Sequence, residues 1–125
     1  MRWPLLLFIF IGSMRCADRP IRVELRAPNP NGCYVIVYER PDYQGAGEVL
    51  DGPVRLRSLE RVPLTKDEDW RNRIRSLRVG RAAIVSVYVN VDFTGDSRLL
   101  PPGTEQPRIE NALAAGIESL QVSCQ

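Results

Sequence analysis

The stretch Tyr38-Glu39-Arg40-Pro41-Asp42-Tyr43-Gln44-Gly45 returns 50 residues later as Tyr88-Val89-Asn90-Val91-Asp92-Phe93-Thr94-Gly95. Aromatic, aspartate, aromatic and glycine stand in register in the two copies. Each copy closes a β-branched, aromatic run, Tyr34–Tyr38 in the first and Ile84–Val89 in the second, the composition of a strand. The pattern therefore reads as a strand ending in an aromatic, a tight polar turn, and a second strand beginning after aromatic-x-Gly. Gly45 and Gly95 are expected at positive φ, where a residue with a Cβ is resisted. Tyr38 with Tyr43, and Tyr88 with Phe93, then pack over the folded corner.

A second correspondence follows. Ile74-Arg75-Ser76-Leu77-Arg78-Val79 matches Ile117-Glu118-Ser119-Leu120-Gln121-Val122 at an offset of 43, so the first copy carries seven extra residues in its middle loop, placed around Thr65–Trp70. This is an internal duplication. Val54-Arg55-Leu56-Arg57 supplies a further alternating strand, and no long segment shows a 3.6-residue apolar period. Only Lys66–Arg71 and Glu110–Ala115 are short candidates for a helical turn. Four strands per copy predict an all-β, two-sheet β-sandwich of two Greek-key motifs, motif 1 at about 33–80 and motif 2 at about 83–124, in a domain over 32–125. Residues 18–31, with Pro20, Pro28 and Pro30, read as an N-terminal arm in which Ile21–Arg26 alternates and can add an edge strand.

Residues 1–17 read as a signal peptide. Arg2 precedes the apolar core Leu5–Ile11, and Gly12, Ser13 and Ala17 are small residues suited to cleavage. The core is too short to span a bilayer, which takes about 20 apolar residues, so no membrane span is expected after cleavage. Removing Arg2 and Arg15 takes the 17 basic residues down to 15, equal to the 15 acidic ones. A near-neutral chain has no global field for nucleic acid, and nucleic acid is not expected as a partner. The location implied is secreted or periplasmic. There Cys33 and Cys124 are candidates for a disulfide, the alternatives being free thiols or pairing through Cys16. Closing so long a loop is worth on the order of 4–5 kcal/mol in the chain-entropy model.

The doubled aromatic-glycine corner, each copy followed by its serine, resembles the βγ-crystallin family, and the resemblance covers residues 33–123. Sixteen arginines against one lysine suit a bacterial member with a GC-rich genome. The resemblance implies that Ser76 and Ser119 bond to the backbone of the folded corners. It likewise makes Tyr38, Tyr43, Gly45, Tyr88, Phe93 and Gly95 structural residues. It also brings a calcium question, because microbial members bind Ca²⁺ through a loop of the pattern Asn/Asp, Asn/Asp, two variable residues, Ser/Thr, Ser. Calcium wants six to eight oxygens. Here the first loop is Arg71-Asn72-Arg73-Ile74-Arg75-Ser76, where two guanidiniums stand at ligand positions and offer no acceptor. The second is Ala114-Ala115-Gly116-Ile117-Glu118-Ser119, where two alanines bring no side-chain oxygen. The remnant ligands are Glu39, Asn72, Ser76, Asn90, Glu118 and Ser119. The loops read as degenerate, no cofactor is expected, and calcium binding is the alternative.

With no histidine in the chain, Ser-His-Asp and Cys-His catalysis and the common zinc sites are excluded. Asp67-Glu68-Asp69 reads as solvated charge, and the chain is read as non-enzymatic. Arg71, Arg73, Arg75, Arg78 and Arg81 form a basic stretch, expected as a strand face neutralised by that acidic run. A further alternative is a protease inhibitor of crystallin-like fold presenting the Thr65–Trp70 loop with Trp70 as an exposed anchor. The partners left in view are an extracellular protein or an anionic glycan.

Overall fold

The β-branched and aromatic runs form eight strands in the computed structural model, which describes residues 25–125. The signal peptide, Cys16 and the first part of the arm lie outside the described residues. The strands are β1 (Tyr34–Arg40), β2 (Gln44–Asp51), β3 (Val54–Leu56), β4 (Ser76–Val79), β5 (Ala83–Asn90), β6 (Thr94–Leu100), β7 (Glu105–Gln106) and β8 (Ser119–Cys124). They build two four-stranded antiparallel sheets, ordered β2-β1-β4-β7 and β3-β8-β5-β6.

The third strand of each motif crosses to the other motif's sheet. In the first sheet Arg78 of β4 faces Glu105 of β7, and in the second Arg55 of β3 faces Gln121 of β8. Each sheet is therefore completed by its neighbour, and the two motifs bury one core between them. Alternation decides which side chains enter it. Val35, Val37, Leu77, Val85, Val87, Leu120 and Val122 point inward and are buried, joined by Leu59, Trp70, Ile74 and Ile117 from the loops.

The Cys33–Cys124 disulfide forms, spanning 91 residues with its Cα atoms 5.3 Å apart. It ties the start of β1 to the end of β8 and so joins the two sheets at one end. The arm is held by Arg26, which donates to Asp51 at 2.5 Å and to the Val49 carbonyl at 2.7 Å.

Most of the expected edge strand, Ile21–Arg26, lies outside the described residues, and its last two residues, Leu25 and Arg26, are not in a strand. Three local expectations are corrected. Lys66–Arg71 forms no helical turn; a β-bridge from Pro63 to Asp69 folds that loop instead, and a short 3-10 turn lies earlier at Leu59–Arg61. Asn111–Ala115 does wind into a 3-10 turn. Arg71–Arg75 is not a strand face, since Asn72 takes the left-handed conformation at φ 59° and β4 begins only at Ser76. Trp70 is not an exposed anchor: it is completely buried.

Candidate functional site

Each corner rests on backbone that side chains seldom adopt. Asp42 and Tyr43 lie at φ 57° and 61°, Asp92 and Phe93 at 57° and 58°, and the following glycines, Gly45 and Gly95, at 78° and 81°. The serines latch these turns. Ser76 Oγ donates to the Arg40 carbonyl at 2.6 Å and accepts from the Tyr43 amide at 3.0 Å. Ser119 Oγ does the same for the Asn90 carbonyl at 2.5 Å and the Phe93 amide at 3.1 Å. Both serines are fully buried. The aromatics meet edge to face, Tyr38 with Tyr43 and Tyr88 with Phe93, each pair at 5.6 Å between centroids.

Cations cap both corners, which the sequence spacing did not disclose. Arg78 lies 3.9 Å over the Tyr43 ring and Arg55 lies 4.8 Å over the Phe93 ring. Burial, and next the nearby Glu105 carboxylate, push the Tyr43 phenol above its ordinary range, against the opposing pull of Arg78. The alternation Val54-Arg55-Leu56-Arg57 signals outward arginines, but only the strand exchange carries them to the other motif's aromatic.

The two loops of interest lie beside the corners. The Arg75 amide donates to the Tyr38 carbonyl at 2.8 Å, and the Glu118 amide to the Tyr88 carbonyl at 2.9 Å, an equivalence that follows the duplication. Arg75 thus belongs to the Glu39 corner and Glu118 to the Asn90 corner. The loops also touch one another: the Asn72 amide donates to the Ile117 carbonyl at 3.0 Å, and Asn72 Nδ2 donates to Glu118 Oε1 at 3.1 Å. Gly116, at φ 127°, makes room for that asparagine, since a Cβ there would collide with Asn72 Oδ1. Of the six remnant ligands, then, Asn72 and Glu118 are joined directly, Ser76 and Ser119 serve the corners, and Glu39 and Asn90 stand at separate corners.

In the first loop a guanidinium occupies the carbonyls. Arg75 Nη1 donates to the Asn72 carbonyl at 2.8 Å and to the Ile74 carbonyl at 3.4 Å. Its neighbours are engaged elsewhere: Arg71 pairs with Glu60 at 3.6 Å and with Asp69 at 3.9 Å, and Arg73 with Glu68 at 3.4 Å. Of the basic stretch, only Arg71 and Arg73 pair with the acidic run, through Asp69 and Glu68 and from turns; Arg75 bonds loop carbonyls, Arg78 lies over Tyr43, and Arg81 donates to the Pro30 carbonyl. Among the described residues no three His, Cys, Asp or Glu side chains converge as a metal-binding group, and no helix is long and apolar enough to cross a membrane.

Two antiparallel four-stranded sheets, exchanged third strands and a serine-latched aromatic corner in each motif define the βγ-crystallin domain fold. Comparison with solved structures agrees. A structure from work on the evolution of the eye lens βγ-crystallin domain fold aligns with a TM-score of 0.63 at 18% identity, over 80% of this chain and 94% of that one. The βγ-crystallin domain from Clostridium beijerinckii aligns at 0.59 with 26% identity, over 71% of this chain and 95% of its own. The βγ-crystallin from Ciona intestinalis aligns at 0.56 with 18% identity, over 72% and 99%. No protein-family model matches the chain, and no curated protein matches it.

Proposed function

We propose that this chain is a secreted or periplasmic, non-enzymatic βγ-crystallin-like structural or binding protein whose calcium loops are degenerate. The observation that carries this reading is Arg75. Its guanidinium already sits on the carbonyl oxygens of the first loop, where a dication would need free acceptors and would meet a fixed positive charge. In the second loop Glu118 is the one carboxylate, and Asn72 is bonded to it. The disulfide suits export to an oxidising compartment.

The test is a thermal melt of the oxidised protein in chelator and in millimolar calcium. A ligand at 100 times its dissociation constant adds about 2.7 kcal/mol, several degrees for a domain of this size. An unchanged melt is the expected result. A rise of several degrees overturns the degenerate-loop reading in favour of a calcium module built on Asn72, Asn90 and Glu118. The inhibitor reading loses its anchor with the burial of Trp70.

A further inference from the structure

The strand exchange creates a groove that belongs to neither motif alone. It runs between β3 with its following turn and the Val91–Phe93 corner, as two adjoining depressions of about 300 and 540 Å³. Arg55, Arg57, Glu60 and Arg61 line one side, and Val91 and Asp92 the other. Arg55, in β3, and Arg57, in the bend just after it, both line the two depressions.

Two of these cations have a partner. Arg55 lies over Phe93, and Arg57 Nε is bonded to Asp92 Oδ1 at 2.8 Å, while its two Nη groups make no hydrogen bond among the described residues. Arg61 makes no side-chain hydrogen bond or ion pair among the described residues. Two carboxylates border the groove as well: Asp92, paired with Arg57, and Glu60, 3.6 Å from Arg71, so that Arg55 and Arg61 are the cations with no carboxylate partner among the described residues.

The fold does not require the charge. At the equivalent place in the other half, the register puts Glu105 where Arg55 stands, and the corner amide of Asp42 bonds the Pro107 carbonyl as that of Asp92 bonds the Arg57 carbonyl. Backbone geometry is kept in both halves while three guanidiniums gather in only one.

We propose that this groove binds an acidic polysaccharide, through sulfate or carboxylate groups held by Arg55, Arg57 and Arg61. Planar guanidiniums match such oxyanions in bidentate fashion. Single-stranded nucleic acid is disfavoured because the Phe93 face is covered by Arg55, leaving no ring for base stacking. A lipid surface is disfavoured because Val91 is the sole large apolar side chain exposed at the rim.

The experiment is titration of the oxidised protein with a heparin oligosaccharide and with an oligogalacturonate, at low salt and at physiological salt. Saturable binding that weakens with salt is expected. The double change Arg55→Gln/Arg61→Gln weakens it by about tenfold or more. Arg98→Gln/Arg108→Gln removes the same charge outside the groove and weakens it by less than about twofold. Each variant is checked by its melt; should the Arg55 change unfold the protein, Arg61→Gln alone, on a side chain with no bond to lose, gives the reading. Equal losses in both doubles, no saturable binding of either oligosaccharide, or equally tight binding of a single-stranded oligonucleotide of matched charge overturns the proposal.

Discussion

Ser76 Oγ accepts the Tyr43 amide at 3.0 Å, pinning a tyrosine in the left-handed region from a strand 33 residues further along the chain. Ordinary residues hold such backbone only where the surroundings over-determine it. Asp42 and Tyr43 do so together, and the same pair of conformations recurs at Asp92 and Phe93 under Ser119.

Replacing Ser76 with alanine leaves the Tyr43 amide and the Arg40 carbonyl without their partner. Each stranded polar group costs about 1–3 kcal/mol, so a loss of about 2–6 kcal/mol is expected, and Ser119→Ala should lose a similar amount. In urea the midpoint falls while the slope stays constant. A loss below about 0.5 kcal/mol, the scale of an ordinary surface change, would show that aromatic packing alone holds the corner.

These corners are where the sequence spoke most clearly, because a positive-φ glycine and two aromatics at fixed spacing leave a local mark that duplication writes twice. The all-β class and the four strands per motif were legible for the same reason, whereas Cys33–Cys124 was a candidate only through the export signal, with free thiols and Cys16 as alternatives. The strand exchange was not. Val54–Leu56 and Glu105–Gln106 are short, and nothing in an alternating trimer says which sheet it joins. That ambiguity also hid the contact of Arg55 with Phe93. Arg71–Arg75 misled because the alternation suggested a strand, whereas Asn72 takes the left-handed conformation, Arg71 and Arg73 pair with Glu60, Asp69 and Glu68, and Arg75 turns to loop carbonyls.

The burial of Trp70 gives a direct stability prediction. Trp70→Ala empties the largest fully buried side-chain site and should cost about 3–5 kcal/mol, while Trp70→Phe keeps most of the apolar volume and should cost less than half as much. Denaturant melts of the two variants decide it. An anchor that faced solvent would have left both within about 0.5 kcal/mol of the parent.

Asp51 links the arm to acid. The hydrogen bond from Arg26 is the main cause that lowers its carboxyl below the ordinary value; the Asn29 amide helps, and burial opposes. A depressed folded value means that its stabilising contribution is complete above the unfolded value, near pH 4, and is lost as pH falls through the folded one. Glu48 acts in the opposite sense: burial raises it, so its contribution favours folding as pH falls. Asp51→Asn should therefore melt below the parent at pH 6, with the gap closing under acid. The gap will be small, because Arg26 is more than half exposed and the pair is screened. A gap that persists unchanged into strong acid removes Arg26–Asp51 pairing as its origin.

If Arg71 and Arg75 are what disable the first loop, restoring its oxygens should restore the metal. Arg71→Asp with Arg75→Ser turns the loop into Asp-Asn-Arg-Ile-Ser-Ser, frees the Asn72 and Ile74 carbonyls from the guanidinium, and exchanges two cations for one carboxylate and one hydroxyl. Arg71 also loses its pairs with Glu60 and Asp69, but these are exposed and together worth no more than about 1 kcal/mol. The variant should accordingly fold in chelator with a slightly lower melt than the parent. In millimolar calcium it should gain several degrees while the parent stays still, because only the variant offers a dication free acceptors and no guanidinium at a ligand position. Arg71→Met with Arg75→Met, which also removes both charges but brings no oxygen, separates the two causes. Gain in that variant too would make the repulsion decisive, whereas gain confined to the Asp/Ser variant would make it the supply of a carboxylate and a short hydroxyl. No gain in either would place the defect outside these two arginines, in the second loop's Ala114 and Ala115 or in the Asn72–Glu118 bond that ties the loops together.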